Sequence, residues 1–146
     1  MLNSPPDKGL LFVVTGPSGV GKSTLISYAK KRLPSLRFSV SATTRPRRDG
    51  EVEGEDYYFL TDEEFRTRVD QDKFLEHAQV YNHMYGTLRS ATDSEISRRE
   101  SVVLDIDLLG ARQIQETCPN AHFIFILPPS LAALESRLRS RGKDTE

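Results

Sequence analysis

The apolar run LLFVVT, residues 10–15, is short, continuous and rich in β-branched residues, with glycines bounding it, which predicts a buried strand. Across residues 23–33 the period changes. Leu25, Tyr28, Ala29 and Leu33 recur at helical spacing, and Pro34 ends the helix. Two later runs, VVLDI (102–106) and HFIFIL (122–127), read as further parallel strands, each followed by a helical pattern. Leu108, Leu109 and Ile114 belong to the first of these helices, closed by Pro119. Leu131, Leu134 and Leu138 belong to the second, with Ser130 as its N-cap. Strand and helix alternating through short links predict an α/β protein with a three-layer core around a parallel sheet.

Residues 39–99 have a different texture: polar, aromatic and rich in turns. RPRRDGEVEGEDYYFL is followed by a Thr-x-x-Glu capping box, Thr61 and Glu64, that opens a short helix. KFLEHAQVYNHMYG (73–86) then alternates as short strands do. The segment reads as a small mixed α/β lobe inserted into a core formed by residues 1–38 and 100–136.

With 146 residues the chain supports one core and a small appended lobe. The formal net charge is −1, so nothing global draws the protein to nucleic acid or anionic lipid, and phosphate binding must be local. Cys118 is the only cysteine, which excludes an intrachain disulfide and makes a reducing cytoplasm the expected compartment. In its ETCPN turn it reads as a small half-buried residue rather than a nucleophile. The segment MLNSPPDKG has no cationic start and no long apolar stretch, as expected of a short arm rather than a signal or anchor. No run approaches the roughly 18 apolar residues of a membrane span.

Chemistry enters behind the first strand. Gly16, Pro17, Ser18, Gly19, Val20, Gly21, Lys22 and Ser23, with Thr24 following, fit G-x-x-x-x-G-K-[ST], the Walker A loop. Its glycines let successive N–H groups turn inward as an anion nest, and the following helix points its positive end at the same place. Lys22 then reaches the β- and γ-phosphates of a nucleoside triphosphate, and Ser23 is the candidate Mg²⁺ ligand. A glycine-rich turn could carry such a string by chance, but here the strand before and the helix after are both legible. His77, His83 and His122 lack close ligand spacing, so no transition-metal site is expected and Mg²⁺ would arrive with ATP.

What receives the phosphoryl group is a question for the lobe. TTRPRRDGEVEGEDYYFL (43–60) with YGT (85–87) resembles the guanylate kinases, and FSVSATTR, FLEHAQVY and LDID sit where that family has them. The resemblance spans residues 9–146. It implies a P-loop core with an inserted GMP-binding lobe, ATP and GMP as substrates, and transfer of the γ-phosphoryl group to give ADP and GDP.

By this resemblance Arg45, Arg48, Tyr57 and Tyr85 touch the GMP phosphate. The planar guanidinium forks suit a doubly charged phosphate, and the phenols add donors without charge. A solvated basic turn is the competing reading of RPRR, and the acidic residues directly after it argue against a polyanion surface. Glu76 is the implied acceptor for guanine's N1–H and N2 amino group, with Ser41 and Thr87 on the carbonyl edge; a surface carboxylate is the alternative for Glu76. Asp105 and Asp107 fall at the carboxyl end of a strand, near the arginines, the guanine or the metal's water shell by resemblance, while Asp107 also suits an ordinary N-cap. Arg137 and Arg141, four apart on one helix face, match the start of the family's lid, residues 137–146 here; a basic helix C-terminus is their plain reading.

One position departs from the family: Leu109 stands where a glutamine is usual. The chain also ends at SRGKDTE, where the resemblance leads one to expect the rest of a lid and a further core segment, so reduced turnover is the expectation for this polypeptide. Two other classes remain open at this point: an inactive guanylate-kinase-like module that binds phosphopeptides, which the intact P-loop disfavours, and a kinase of another small metabolite such as a sugar phosphate, for which Glu76 and Thr87 would have no use. Nothing in the pattern specifies an oligomer.

Overall fold

The computed structural model describes residues 8–17 and 19–140. Strand β1 (Leu11–Thr15) runs through the glycine-rich turn into α1 (Lys22–Arg32). There follow β2 (Arg37–Phe38), β3 (Ala42–Thr43), β4 (Tyr58–Phe59), α2 (Asp62–Asp70), β5 (Phe74–Val80), β6 (His83–Leu88) and α3 (Arg89–Ser97). The chain then forms β7 (Val102–Asp105), α4 (Leu108–Thr117), β8 (His122–Phe125) and α5 (Leu131–Ser140).

The first sheet has the order β2-β7-β1-β8, and all its pairs are parallel. The apolar runs of β1 and β7 are continuous because both faces are covered. Leu11, Val13, Val102 and Leu104 pack with Ala111 and Ile114 of α4, joined by Ile96 of α3. Val14 and Val103 pack with Ile26 of α1 on the opposite side. Helix, sheet and helix make the three layers that the alternation predicts. Parallel pairing also brings the ends of β1 and β7 to one edge of the sheet, the edge where open α/β sheets bind ligands.

The second sheet has the order β4-β3-β6-β5 and is mixed, with β3 and β4 parallel and the other pairs antiparallel. One face is closed by α2. At nine residues α2 is too short to persist alone, so its ends and its buried face must hold it. The capping box forms as predicted: Thr61 accepts from the Glu64 N–H, and the Glu64 side chain accepts from the Thr61 N–H. Phe65 is fully buried and stacks on Phe74 at 4.4 Å between ring centroids.

Three elements differ from the sequence expectation. The stripe Leu25, Tyr28 and Leu33 on α1 is half exposed, and Ile26 is the buried residue. Leu25, Ala29 and Leu33 line one wall of an apolar groove of about 320 Å³ opposite Phe12, Phe38 and Ile124. The last strand ends at Phe125, two residues short of the predicted run, and its four residues are exposed. The segment RSATDSEIS forms α3, which weak periodicity did not announce, since only Thr92 is buried within it. No helix among the described residues is long and apolar enough to cross a membrane.

Candidate active site

Glycine is required at two points of the loop after β1: Gly19 has φ 78° and Gly21 φ 97°, left-handed values that β-carbons resist. Gly21 caps α1 without a side-chain bond, which leaves the first-turn N–H groups facing outward at the positive end of the helix. Lys22 folds back from that turn. Its Nζ lies 3.0 Å from Asp105 Oδ1 and donates to the carbonyl of Ile106 at 3.2 Å. Ser23 and Thr24 are exposed on the same turn. From the other side Arg137 of α5 donates to the Val20 carbonyl at 3.0 Å. A β-carbon on Gly19 would stand 2.8 Å from Leu138, so α5 lies directly against the loop. Pro17 and Val20 complete the described turn; Ser18 and Arg141 lie outside the described residues.

Hard oxygen donors suit Mg²⁺, which usually keeps several waters and takes one or two protein oxygens plus phosphate. An exposed hydroxyl at Ser23 at the start of α1 is a hard oxygen donor compatible with that requirement.

A second cluster of polar and aromatic side chains sits on the lobe. Arg45 donates from both terminal nitrogens to Glu51, at 2.9 and 2.8 Å, and its guanidinium stands 5.2 Å from the Tyr57 ring centroid. Tyr57 and Tyr85 meet edge to face at 6.1 Å. Glu51 also accepts from the Arg48 N–H at 2.7 Å, so one carboxylate organises the whole turn, while Arg48 itself is exposed. In the sequence Glu51 is one of the acidic residues that follow RPRR and balance its charge. The signal was present, since a glutamate three residues after the second arginine closes the turn that carries both. Bonding to Arg45 and to that N–H draws the Glu51 carboxyl down from 4.5 to about 2. Its contribution to stability is therefore present above the ordinary value and lost as pH falls from 4.5 through about 2. Glu51→Gln is expected to lower Tm by a few degrees at pH 7, with the gap to the parent closing over that acid window. A gap that stays constant down to pH 2 would contradict the ion pair.

The third group lies along the open face of the same sheet. Thr43 pairs with Tyr85 and Phe59, and Glu76 with Thr87, so Ser41, Tyr57, Glu76, Tyr85 and Thr87 share one side. Simple alternation would put Glu76 on the α2 side with Phe74. An irregularity between Phe74 and Glu76 prevents this: Leu75 is the extra residue, and it drops into the core of the first sheet. Glu76 is thereby turned to face Thr87, whose Oγ1 donates to its Oε1 at 2.7 Å. Glu76 is 7% exposed, and burial pushes its carboxyl above the ordinary range; the Thr87 bond opposes the shift and the nearby Asp107 charge adds to it. Asp107 does cap α4, accepting from the Gly110 N–H at 2.8 Å.

Another residue that sequence reasoning missed is Gln113 of α4. Its amide accepts from the His77 N–H at 3.0 Å and donates to the His77 carbonyl at 2.9 Å. It thus satisfies the outer edge of β5, an edge strand, and clamps it onto α4 next to Glu76. The three groups are linked through short stretches of chain. Asp105 and Asp107, two apart, reach the loop and the α4 cap; Tyr85 and Thr87, also two apart, reach the arginine turn and Glu76.

Comparison with known proteins bears on what these groups do. The family model for guanylate kinase matches residues 8–146. A curated guanylate kinase of a Synechocystis species is 52% identical over 139 residues, covering 95% of this chain and 73% of that protein. One from Thermosynechococcus vestitus is 51% identical over 146 residues, covering 100% of this chain and 76% of that protein. The crystal structure of guanylate kinase from Anaplasma phagocytophilum superposes with a TM-score of 0.68 at 36% identity, over 94% of this chain and 69% of that one.

Proposed function

The chain belongs to the guanylate kinase family, and we infer that it transfers the γ-phosphoryl group of ATP to GMP, giving ADP and GDP. The observation that carries the reading at the site is the pairing of two unlike anion receptors in one chain. One is the glycine loop with Lys22 at the end of β1, and the other is the Arg45 turn beside the Glu76 face.

The chemistry follows from what each group offers. GMP brings an ionised phosphate, itself the nucleophile, so no general base is needed. Catalysis then reduces to alignment and neutralisation of charge. The α1 N–H groups and Lys22 hold the donor phosphates, and Lys22 exchanges its Asp105 partner for phosphate oxygens on binding. Arg45 and Arg48 grip the acceptor phosphate, with Tyr57 and Tyr85 completing the donor set. Glu51 keeps the Arg45 fork planar to the turn, so less ordering is left to the moment of binding. Glu76 accepts from the two adjacent guanine donors, while Ser41 and Thr87 serve the carbonyl edge. Arg137, resting on the Val20 carbonyl, stands beside the loop, where its charge meets the transferring phosphoryl. Ser23 would hold Mg²⁺, which neutralises phosphate charge when bound.

The test is ADP release with ATP and, in turn, GMP, AMP or ribose 5-phosphate as acceptor. Turnover with GMP should exceed that with AMP by about 10²-fold or more. Equal rates with GMP and AMP, or none with GMP, would overturn the reading.

A further inference from the structure

We propose that Gly110, in the first turn of α4, is a positioning residue that leaves room for the Glu76 carboxylate and so sets discrimination between guanine and other bases. The proposal rests on Glu76 being the base acceptor. Glycine is a poor choice inside a helix, and Gly110 is not among the residues with positive φ, so backbone conformation does not explain it. Close approach does. A β-carbon at Gly110 would stand 2.9 Å from Glu76 Oε2, inside van der Waals contact, and 3.3 Å from Asp107 Oδ1.

Something must yield if that carbon is added, and the neighbours decide what. Helix α4 cannot easily retreat, because Gln113 holds it to the β5 backbone by two hydrogen bonds and Ala111 and Ile114 are buried against the first sheet. Asp107 is fixed by its cap to the Gly110 N–H. The remaining neighbour is the end of a flexible side chain whose other oxygen accepts from the Thr87 hydroxyl. The carboxylate is therefore the part that moves, and the fold survives.

The test compares Gly110→Ala with Glu76→Gln, using GMP and IMP as acceptors, since IMP lacks the N2 amino donor. Gly110→Ala should keep or raise Tm, raise KM for GMP about tenfold and leave KM for ATP unchanged, a split that a purely structural glycine would not produce. Its GMP-to-IMP ratio of kcat/KM should fall toward that of Glu76→Gln. Adding Glu76→Asp to Gly110→Ala shortens the acid, and the double variant should bind GMP better than the product of the two single losses. An unchanged GMP constant and ratio in Gly110→Ala, alongside a changed one in Glu76→Gln, overturns this proposal alone. If Gly110→Ala loses Tm and the added Glu76→Asp restores neither Tm nor GMP binding, the proposal also falls. No effect from Glu76→Gln removes the base-acceptor reading and this inference together.

Discussion

Lys22→Ala is expected to lower kcat by about 10³-fold or more while changing GMP affinity by less than about twofold. The asymmetry comes from where the ammonium stands. Its Nζ is fixed at the loop end of the first sheet by Asp105 and the Ile106 carbonyl, and it belongs to none of the bonds that shape the Arg45 turn or the Glu76 face. Removing it deletes the positive charge that the proposed mechanism sets against the triphosphate. It also leaves Asp105 without its partner, an unpaired carboxylate next to the anion. Both effects oppose charge build-up on the transferring phosphoryl, so the loss exceeds that of one neutral donor. Asp105→Asn made in the Lys22→Ala background should recover part of kcat by removing the repulsion. The checks are steady-state ADP release and calorimetric titration with GMP. Equal loss of turnover and GMP affinity would mean that the two receptors are not separate.

The first sheet and its loop were legible because their signals are local. A continuous β-branched run, a glycine pattern and a lysine lie within fifteen residues, and the helix dipole needs no distant partner. The capping box at Thr61 and Glu64 and the Asp107 cap were readable for the same reason. What escaped was set by distance along the chain or by a break in period. The outward aim of Glu76 depends on the extra residue Leu75, and alternation in FLEHAQV carries no trace of the pair it slips against. Gln113 acts on His77 from 36 residues away, so neither residue hints at the other. On α1 the periodic stripe was identified, but a period says which residues share a face, not whether anything covers it. Among the described residues that face looks into a groove. The proposed roles on the lobe, from Ser41 to Thr87, came from resemblance, and the geometry adds the reason they share one side of a sheet.

Glu76→Gln is expected to raise KM for GMP by about 100-fold, equivalent to about 2.7 kcal/mol, with little change for ATP. A carboxylate presents acceptors to both adjacent guanine donors, whereas the amide turns one of those positions into an opposing donor. Burial sharpens the effect, because at 7% exposure water cannot easily stand in for the lost acceptor. With Glu76 as the proposed base acceptor, the same burial should make GMP binding sensitive to pH. The Glu76 carboxyl lies above 4.5 in the free protein, so its protonated form favours the fold: that contribution is whole below 4.5 and is lost as pH rises through the shifted value. Guanine requires the ionised form. KM for GMP should therefore climb as pH falls through the raised pKa, and in Glu76→Gln this acid limb should shrink to the part that protonation of the GMP phosphate itself contributes. A variant that kept both the GMP constant and the acid limb of the parent would place base recognition elsewhere. The limb would then need another titrating group, and the open face of the second sheet would lose its claim to read the base.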